Sequence, residues 1–151
     1  MDGSRKLGRQ LTKECAMYKK ILVPVDLSDI ERGKASVAIA RHVGGEDCSI
    51  KLLYVIEDIP AYVATELPTG ILDKTADEAR ATLNKIAASE KNCTAEVRSG
   101  RAQNVILSTA EEFGADLIIV GSHKPGLQDY LIGSTAARVV RHSKCTVLVS
   151  R

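Results

Sequence analysis

The segment from Gly121 to Thr135 carries the residues with the clearest chemical potential in this chain. It contains three glycines and ends in a Ser-Thr pair. The apolar run Ala-Asp-Leu-Ile-Ile-Val precedes it, and a stretch with helical spacing follows it. A buried strand, a glycine-containing loop and a new helix can together bind phosphate, because glycines let backbone N–H groups approach closely and a helix start offers unpaired donors. The pattern is neither G-x-G-x-x-G nor a P-loop, and glycine also serves ordinary strand–helix turns.

The composition excludes several classes of function. The chain has 151 residues, of which 44% are hydrophobic and 26% charged, which is typical of one globular domain. The formal net charge of +2 is too balanced for a nucleic-acid or membrane surface. With no Trp, four Tyr and one Phe, a platform for stacking single-stranded bases is not expected.

The cysteine pattern and the lack of targeting signals favour a cytoplasmic protein. The four cysteines are scattered, with no C-x-x-C pair and no His at zinc spacing: Cys15, Cys48, Cys93 and Cys145. The last three flank predicted strands, so we expect buried or half-buried thiols. No apolar run approaches the roughly 18 residues of a membrane-spanning helix, and no secretory signal is visible.

Short apolar runs alternate with segments of helical periodicity. The predicted strands are Lys20–Asp26, Ser49–Ile56, Thr94–Arg98, Leu117–Val120 and Thr146–Val149. The predicted helices run from about Ser28 to Val43, from Ile71 to about Lys91, over 102–113 and over 134–142. Strand–helix alternation without a hairpin signal predicts a single-domain α/β fold, an open parallel sheet with helices on both faces. Residues 1–16 show no clean periodicity, and we interpret them as a flexible N-terminal tail or an added leader before a domain at 17–151.

Two local patterns predict how the first helix begins and which residues the helices bury. Ser28 and Glu31 have the S-x-x-E form of a capping box, which predicts Ser28 as the N-cap. Pro24 is unusual inside a central strand, a conflict that eases if the first strand ends there. The helical spacing predicts inward faces of Ala35, Ala38, Ile39 and Val43 in the first helix, and of Leu72, Ala76, Ala79, Leu83, Ile86 and Ala87 in the second.

The topology places a ligand site before any family is considered. In open parallel sheets, ligands bind at the carboxyl ends of strands, where the strand order reverses. Asp26, the 57–70 loop, Gly100 and the 121–133 loop all follow strands in this way. We therefore expect them on one rim of the sheet.

The ordered motifs resemble the universal stress protein family. They are Lys-Ile-Leu-Val-Pro-Val-Asp-x-Ser, Ala-Asp-Leu-Ile-Ile-Val-Gly-Ser-His, Gly-Ser-Thr-Ala-x-x-Val and the ending Arg-His-Ser-Lys-Cys-Thr-Val-Leu-Val-Ser-Arg, and the likeness covers 17–151. The resemblance implies a Rossmann-like sheet of the adenine nucleotide alpha hydrolase-like type, with strand order 3-2-1-4-5. It also implies a homodimer that forms through the C-terminal strand Thr146–Val149. The sequence does not distinguish a dimer from a tetramer. Some members of the family bind ATP through a G-x-x-G-x9-G-[ST] signature, whereas others bind no nucleotide.

The loop after the fourth strand departs from that signature. Gly121 matches its first glycine, but Lys124 stands at the second, and only eight residues separate Lys124 from Gly133. The loop resembles the short-loop branch of small bacterial universal stress proteins. Gly126 is expected to supply the close approach two positions later, and Lys124 a charge-assisted contact to phosphate.

The resemblance also implies individual roles at the site. Asp26 would accept a hydrogen bond from the adenine amino group, with Pro24 and Val55 lining the base pocket. Gly121 would lie near the ribose. The residues expected at the phosphates are Gly133, Ser134 and Thr135, with His123 as a loop hydrogen-bonding residue or phosphate neighbour. The structural alternatives are a rim carboxylate or helix cap for Asp26, and an ordinary N-cap for the Ser-Thr pair.

These features predict a stress-response protein that binds ATP, or another adenine nucleotide such as AMP or ADP, as a regulatory module. Mg²⁺ would accompany ATP, although no carboxylate cluster forms a dedicated metal cage. Hydrolysis would be slow at most, because no base is placed to activate water. The alternative is a nucleotide-independent member that works through its dimer and partner surfaces. A nucleotide-processing enzyme on a related fold ranks third, since no substrate domain is present.

Overall fold

A computed structural model of the chain describes residues 17–59, 66, 70–122 and 132–151. The strands are β1 (Lys20–Pro24), β2 (Ser49–Ile56), β3 (Cys93–Ser99), β4 (Leu117–Gly121) and β5 (Thr146–Ser150). The helices are α1 (Ile30–Gly44), α2 (Ile71–Ala88), α3 (Ala102–Phe113) and α4 (Ser134–His142). All pairings are parallel, in the order β3-β2-β1-β4-β5. The predicted fold class and strand order are confirmed; the proposed tail at 1–16 lies outside the described residues.

Strand β1 occupies the centre of the sheet and pairs along both edges. Ile21 is level with Ile50 of β2 on one side and with Leu117 of β4 on the other. At the start of β1, the Asp116 carboxylate accepts hydrogen bonds from the backbone N–H of Lys19 at 2.8 Å and of Lys20 at 3.0 Å. These bonds attach the chain before β4 to β1.

Pro24 ends β1, two residues before the predicted end at Asp26, and this resolves the conflict of a proline inside a central strand. The proline has no N–H to give to the sheet, but the next residue, Val25, donates to the carbonyl of Leu53 at 2.8 Å. Pairing with β2 therefore continues one residue beyond the strand. The backbone then turns toward α1 at the rim of the sheet.

The sheet divides the core into two layers. Helices α1 and α2 cover one face, where Ile21, Val23 and Leu52 are buried, and α3 and α4 cover the other, where Leu22 and Leu53 are buried. Neighbouring strand residues alternate between the layers because successive side chains of a strand point to opposite faces. In the part of the chain that the structure describes, no helix combines the length and apolarity that crossing a membrane requires.

The predicted inward face of α1 is wrong for Ala35 and Ala38 and holds in part for Ile39 and Val43, which pack against the core. Ala35 and Ala38 are exposed, and Ile39 and Val43 are only half-buried. The residues that face the sheet are Gly33, Ser36, Val37, Ala40 and Gly44. Small side chains let α1 approach the sheet closely: a Cβ on Gly33 would lie 2.8 Å from Cγ1 of Val25. The prediction chose alanine, isoleucine and valine positions and missed the glycines and the serine of this stripe.

The described thiols are structural, as predicted. Cys48 is buried, and Cys93 and Cys145 are half-buried. Burial raises the pKa of Cys93 to about 11, against the smaller opposing effect of the Arg41 charge. The thiol is therefore held in its less reactive protonated form at neutral pH.

Two leucines of α2 test the packing of this helix. Leu83 is fully buried, whereas Leu72, also predicted inward, is 43% exposed. We expect Leu83→Ala to lower the free energy of unfolding by about 2–5 kcal/mol, because it removes buried methyl groups and leaves a cavity. Leu72→Ala is the matched control, with a loss below about 1 kcal/mol. Urea denaturation measures both, and equal losses would contradict the observed burial.

Candidate functional site

A cleft of about 380 Å³ opens at the carboxyl ends of β1 and β4. The strand order reverses between these two strands, so the cleft lies at the topological switch point. Its described lining consists of Pro24, Val25, Asp26, Asp29, Arg32, Gly33, Ser36, Leu53, Tyr54, Val55, Glu57, Ala102, Ile106, Val120, Gly121, Ser122, Thr135 and Ala136. A cavity of this size lies in the range of small-molecule and cofactor sites.

The structure brings five of the ten sequence-predicted site residues to this cleft. They are Pro24, Asp26, Val55, Gly121 and Thr135. Gly133 and Ser134 stand at the start of α4, beside the lining residue Thr135. His123, Lys124 and Gly126 lie outside the described residues, so their expected roles stay predictions.

One part of the cleft is apolar. Its buried lining residues come from both layers of the core: Val25 from one, and Leu53 and Ile106 of α3 from the other. Pro24 and Val55 line the same cleft at the ends of β1 and β2. These side chains form a surface against which a flat apolar group can pack.

Asp26 has a structural contact as well as a place in the cleft. Its Oδ1 accepts a hydrogen bond from the backbone N–H of Ser28 at 2.8 Å, and its carbonyl accepts one from the N–H of Asp29 at 3.0 Å. The first contact is an Asx turn, which directs the chain from β1 into α1. Asp26 is therefore a rim carboxylate with a structural contact, as the structural alternative for this residue expected. The same turn fixes the position of the carboxylate at the rim.

The N-cap of α1 is Asp29 and not Ser28, which corrects the predicted capping box. The Asp29 Oδ1 accepts from the backbone N–H of Arg32 at 3.2 Å. Ser28 precedes the cap by one residue, and its N–H is bound by Asp26. Glu31 instead pairs with Lys34 on the exposed side of the helix at 2.8 Å. The sequence pattern predicted Ser28 alone, and the turn at Asp26 places the cap one residue later.

Arg32 is a site residue that the sequence analysis missed. Its Nη1 donates to the carbonyl of Ser122, directly after β4, at 2.6 Å, and its Nε lies 3.5 Å from the Asp29 carboxylate. An arginine in the first turn of a helix ordinarily faces solvent. Only the closeness of α1 to the end of β4 reveals its position in the cleft.

Gly121 is packed against the Arg32 side chain. A Cβ built on Gly121 would lie 3.2 Å from Cδ and 3.9 Å from Cγ of Arg32. On the other side, the N–H of Ser122 donates to the carbonyl of Ser150 in β5 at 2.7 Å. The end of β4 is therefore held from both sides, by α1 and by β5.

Helix α4 begins at the cleft with no side-chain cap from the described residues. Its N-cap is Gly133, which has no side chain to accept from the first N–H groups. The alternative prediction that the Ser-Thr pair caps this helix is therefore wrong. Thr135 and Ala136 line the cleft, so the first turn presents near it the positive end of the helix dipole and N–H donors that no described side chain caps.

No metal site accompanies these groups in the parts of the chain that the structure describes. There, no three His, Cys, Asp or Glu residues are close enough together to hold an ion.

The fold defines an open parallel α/β protein with a cleft at the switch point of its sheet. The model of the universal stress protein family matches residues 17–151. Universal stress protein A homolog 2 of Coxiella burnetii is 35% identical and is matched over 89% of this chain and 95% of its own length. The chain therefore belongs to the universal stress protein family.

Solved structures agree with that assignment. The universal stress protein UspA from Lactobacillus plantarum has a TM-score of 0.65 and 29% identity, over 89% of this chain and 98% of its own. A universal stress protein solved in complex with cAMP has a TM-score of 0.57 over 89% of this chain and 97% of its own. At 24% identity, the second likeness concerns the fold alone.

The start of α1 can be tested with two neighbouring substitutions. Asp29→Ala removes the N-cap and the ion pair with Arg32, and we expect a loss of about 0.5–2 kcal/mol in the free energy of unfolding. Ser28→Ala is the control and should change it by less than about 0.5 kcal/mol, because its side chain caps nothing. Chemical denaturation measures both; a larger loss for Ser28→Ala would restore the predicted capping box.

Proposed function

We propose that this protein binds ATP, or another adenine nucleotide, in the cleft and acts as a regulatory module in the stress response. The observation that carries the proposal is the combination of three features in one cleft. An apolar surface, a rim carboxylate and the uncapped start of α4 all meet at the switch point. Each feature matches a different part of a nucleotide.

The apolar part fits the base. Pro24 and Val55 offer aliphatic surface to a purine ring, with Ile106 behind them. The Asp26 carboxylate is an acceptor, and the exocyclic amino group of adenine is a donor. The Asx turn holds this acceptor at the rim before a ligand arrives.

The start of α4 fits the phosphates. Gly133 and Ser134 lead into the first turn, and Thr135 lies in the cleft. Backbone N–H groups at a helix start bind anions, and the dipole adds to the attraction. The Ser134 and Thr135 hydroxyls are further donors.

Mg²⁺ enters this proposal with the nucleotide. No described cluster of ligands would hold the ion by itself. Mg²⁺ usually keeps several waters and binds through substrate phosphates, so it would arrive on ATP. Its effect is to offset repulsion between the phosphates and the carboxylates at the rim.

Nucleotide binding is tested with the wild-type protein and an Asp26→Asn variant. Saturating ATP with Mg²⁺ should stabilise the wild type, by about 2.7 kcal/mol at 100 times Kd. The Asn oxygen can still accept from Ser28, so the fold is kept while the acceptor for adenine is weakened. We expect about tenfold weaker ATP binding by calorimetry.

The control for this experiment is Asp47→Asn. Asp47 is exposed and lies 4.0 Å from Lys91, outside the described lining of the cleft, so the variant makes the same charge change elsewhere. Its ATP affinity should match the wild type. Nucleotide binding would be refuted if millimolar ATP did not stabilise the wild type and the purified protein released no adenine. That result would favour the alternative, a nucleotide-independent protein that acts through its partner surfaces.

We also propose a homodimer in which β5 pairs with its counterpart. β5 is an edge strand of the sheet and is hydrogen-bonded to β4 among the described strands. An edge strand presents unpaired backbone groups that another strand can bind. Light scattering after size exclusion should give twice the mass of the chain, and a monomer mass at high protein concentration would contradict this pairing.

A further inference from the structure

Arg32 is the one positively charged side chain among the described residues that line the cleft. The same lining contains three carboxylates, those of Asp26, Asp29 and Glu57. Within this described lining, an anionic ligand is therefore repelled by three of the four charged side chains. The Arg32 guanidinium is therefore expected to contribute a large part of the binding free energy of such a ligand.

The Arg32 guanidinium is held in place but keeps donors for a ligand. Nη1 is bound to the Ser122 carbonyl and Nε lies near Asp29, while Nη2 has no hydrogen bond to a described residue. The side chain keeps 29% of its surface exposed. Because the guanidinium carries five N–H donors in a rigid fork, it can retain its bond to Ser122 and donate to a ligand as well.

Gly121 allows the side chain to reach this position. The Arg32 stem passes within 3.2 Å of where a Cβ on Gly121 would lie. In this chain the glycine thus accommodates an arginine from α1. This contact is separate from the close approach to ribose that the family resemblance implies.

Arg32 and the start of α4 supply positive potential from two different elements. Arg32 reaches the cleft from α1, while Thr135 and Ala136 line it from the first turn of α4. A phosphate near these elements would receive guanidinium and backbone donors together. A neutral nucleoside would use neither.

We infer that Arg32 makes the cleft selective for phosphorylated ligands over neutral nucleosides, by donating from its guanidinium to a nucleotide phosphate. The inference rests on the proposed nucleotide binding and assigns to Arg32 a contact that the family signature does not contain. The affinity for AMP, ADP and ATP depends on Arg32, and the affinity for adenosine does not.

The test compares Arg32→Gln with Lys34→Gln. Glutamine removes the charge but keeps a donor for Ser122. Lys34 lies on the same helix, is 56% exposed and pairs with Glu31 away from the cleft, so its variant is matched in charge. Calorimetry at fixed salt should show AMP and ATP binding weakened about tenfold or more in Arg32→Gln, with adenosine affinity within about twofold of wild type. Lys34→Gln should bind all three ligands as the wild type does.

Several results would overturn the inference. Equal losses for adenosine and AMP would mean that Arg32 only shapes the cleft through Ser122. Unchanged AMP affinity in Arg32→Gln would mean that the guanidinium does not reach a phosphate. A wild type that binds none of ATP, AMP and adenosine would refute the proposed function itself, and the wild-type measurements show this separately from the variants. If Arg32→Gln does not fold, Arg32→Lys replaces it in the test. This variant keeps the positive charge and should retain most of the preference for AMP over adenosine. Loss of that preference in a folded Arg32→Lys variant would contradict the phosphate contact.

Discussion

The pairing of β1 along both edges constrains the rest of the molecule. With β2 on one side, β4 on the other and apolar layers above and below, the middle of the strand has no room for polar side chains. Groups with chemical function must lie beyond Pro24, where the strand ends. Because the strand order reverses beside β1, α1 and α4 begin on opposite faces of the sheet at one shared opening. The location of the cleft follows from this arrangement and requires no special loop.

The close contact between α1 and the sheet determines the chemistry on one side of the opening. Gly33 packs on Val25, and Gly44 at the other end of the helix has the Sγ of Cys48 and Cδ1 of Ile21 close to where its Cβ would lie. Larger residues in this stripe would lift the helix away from the strands. The first turn would then move from the end of β4, and Arg32 would no longer reach the Ser122 carbonyl. A stripe of small buried residues therefore controls the position of a charged group.

The fold could be predicted almost completely from the sequence, but the site only in part. Alternating apolar runs and helical segments determine the element order, and strand ends determine the rim where Asp26 and Gly121 lie. The N-cap was assigned to Ser28 because the box pattern ignores the competing turn at Asp26. Arg32 was missed because local periodicity does not report the distance between α1 and β4. Such contacts between elements distant in the chain depend on three-dimensional packing, and a pattern within one element carries no information about them.

The backbone of Ser122 connects two regions with different proposed tasks. Its carbonyl is bound to Arg32 in the cleft, and its N–H is bound to Ser150 at the end of the edge strand. A ligand that moves this residue would change the free energy of both contacts. By thermodynamic linkage, nucleotide affinity and subunit affinity would then depend on each other by the same factor in both directions. One residue thus joins the lining of the cleft to the end of the edge strand, through the two peptide groups on either side of its Cα.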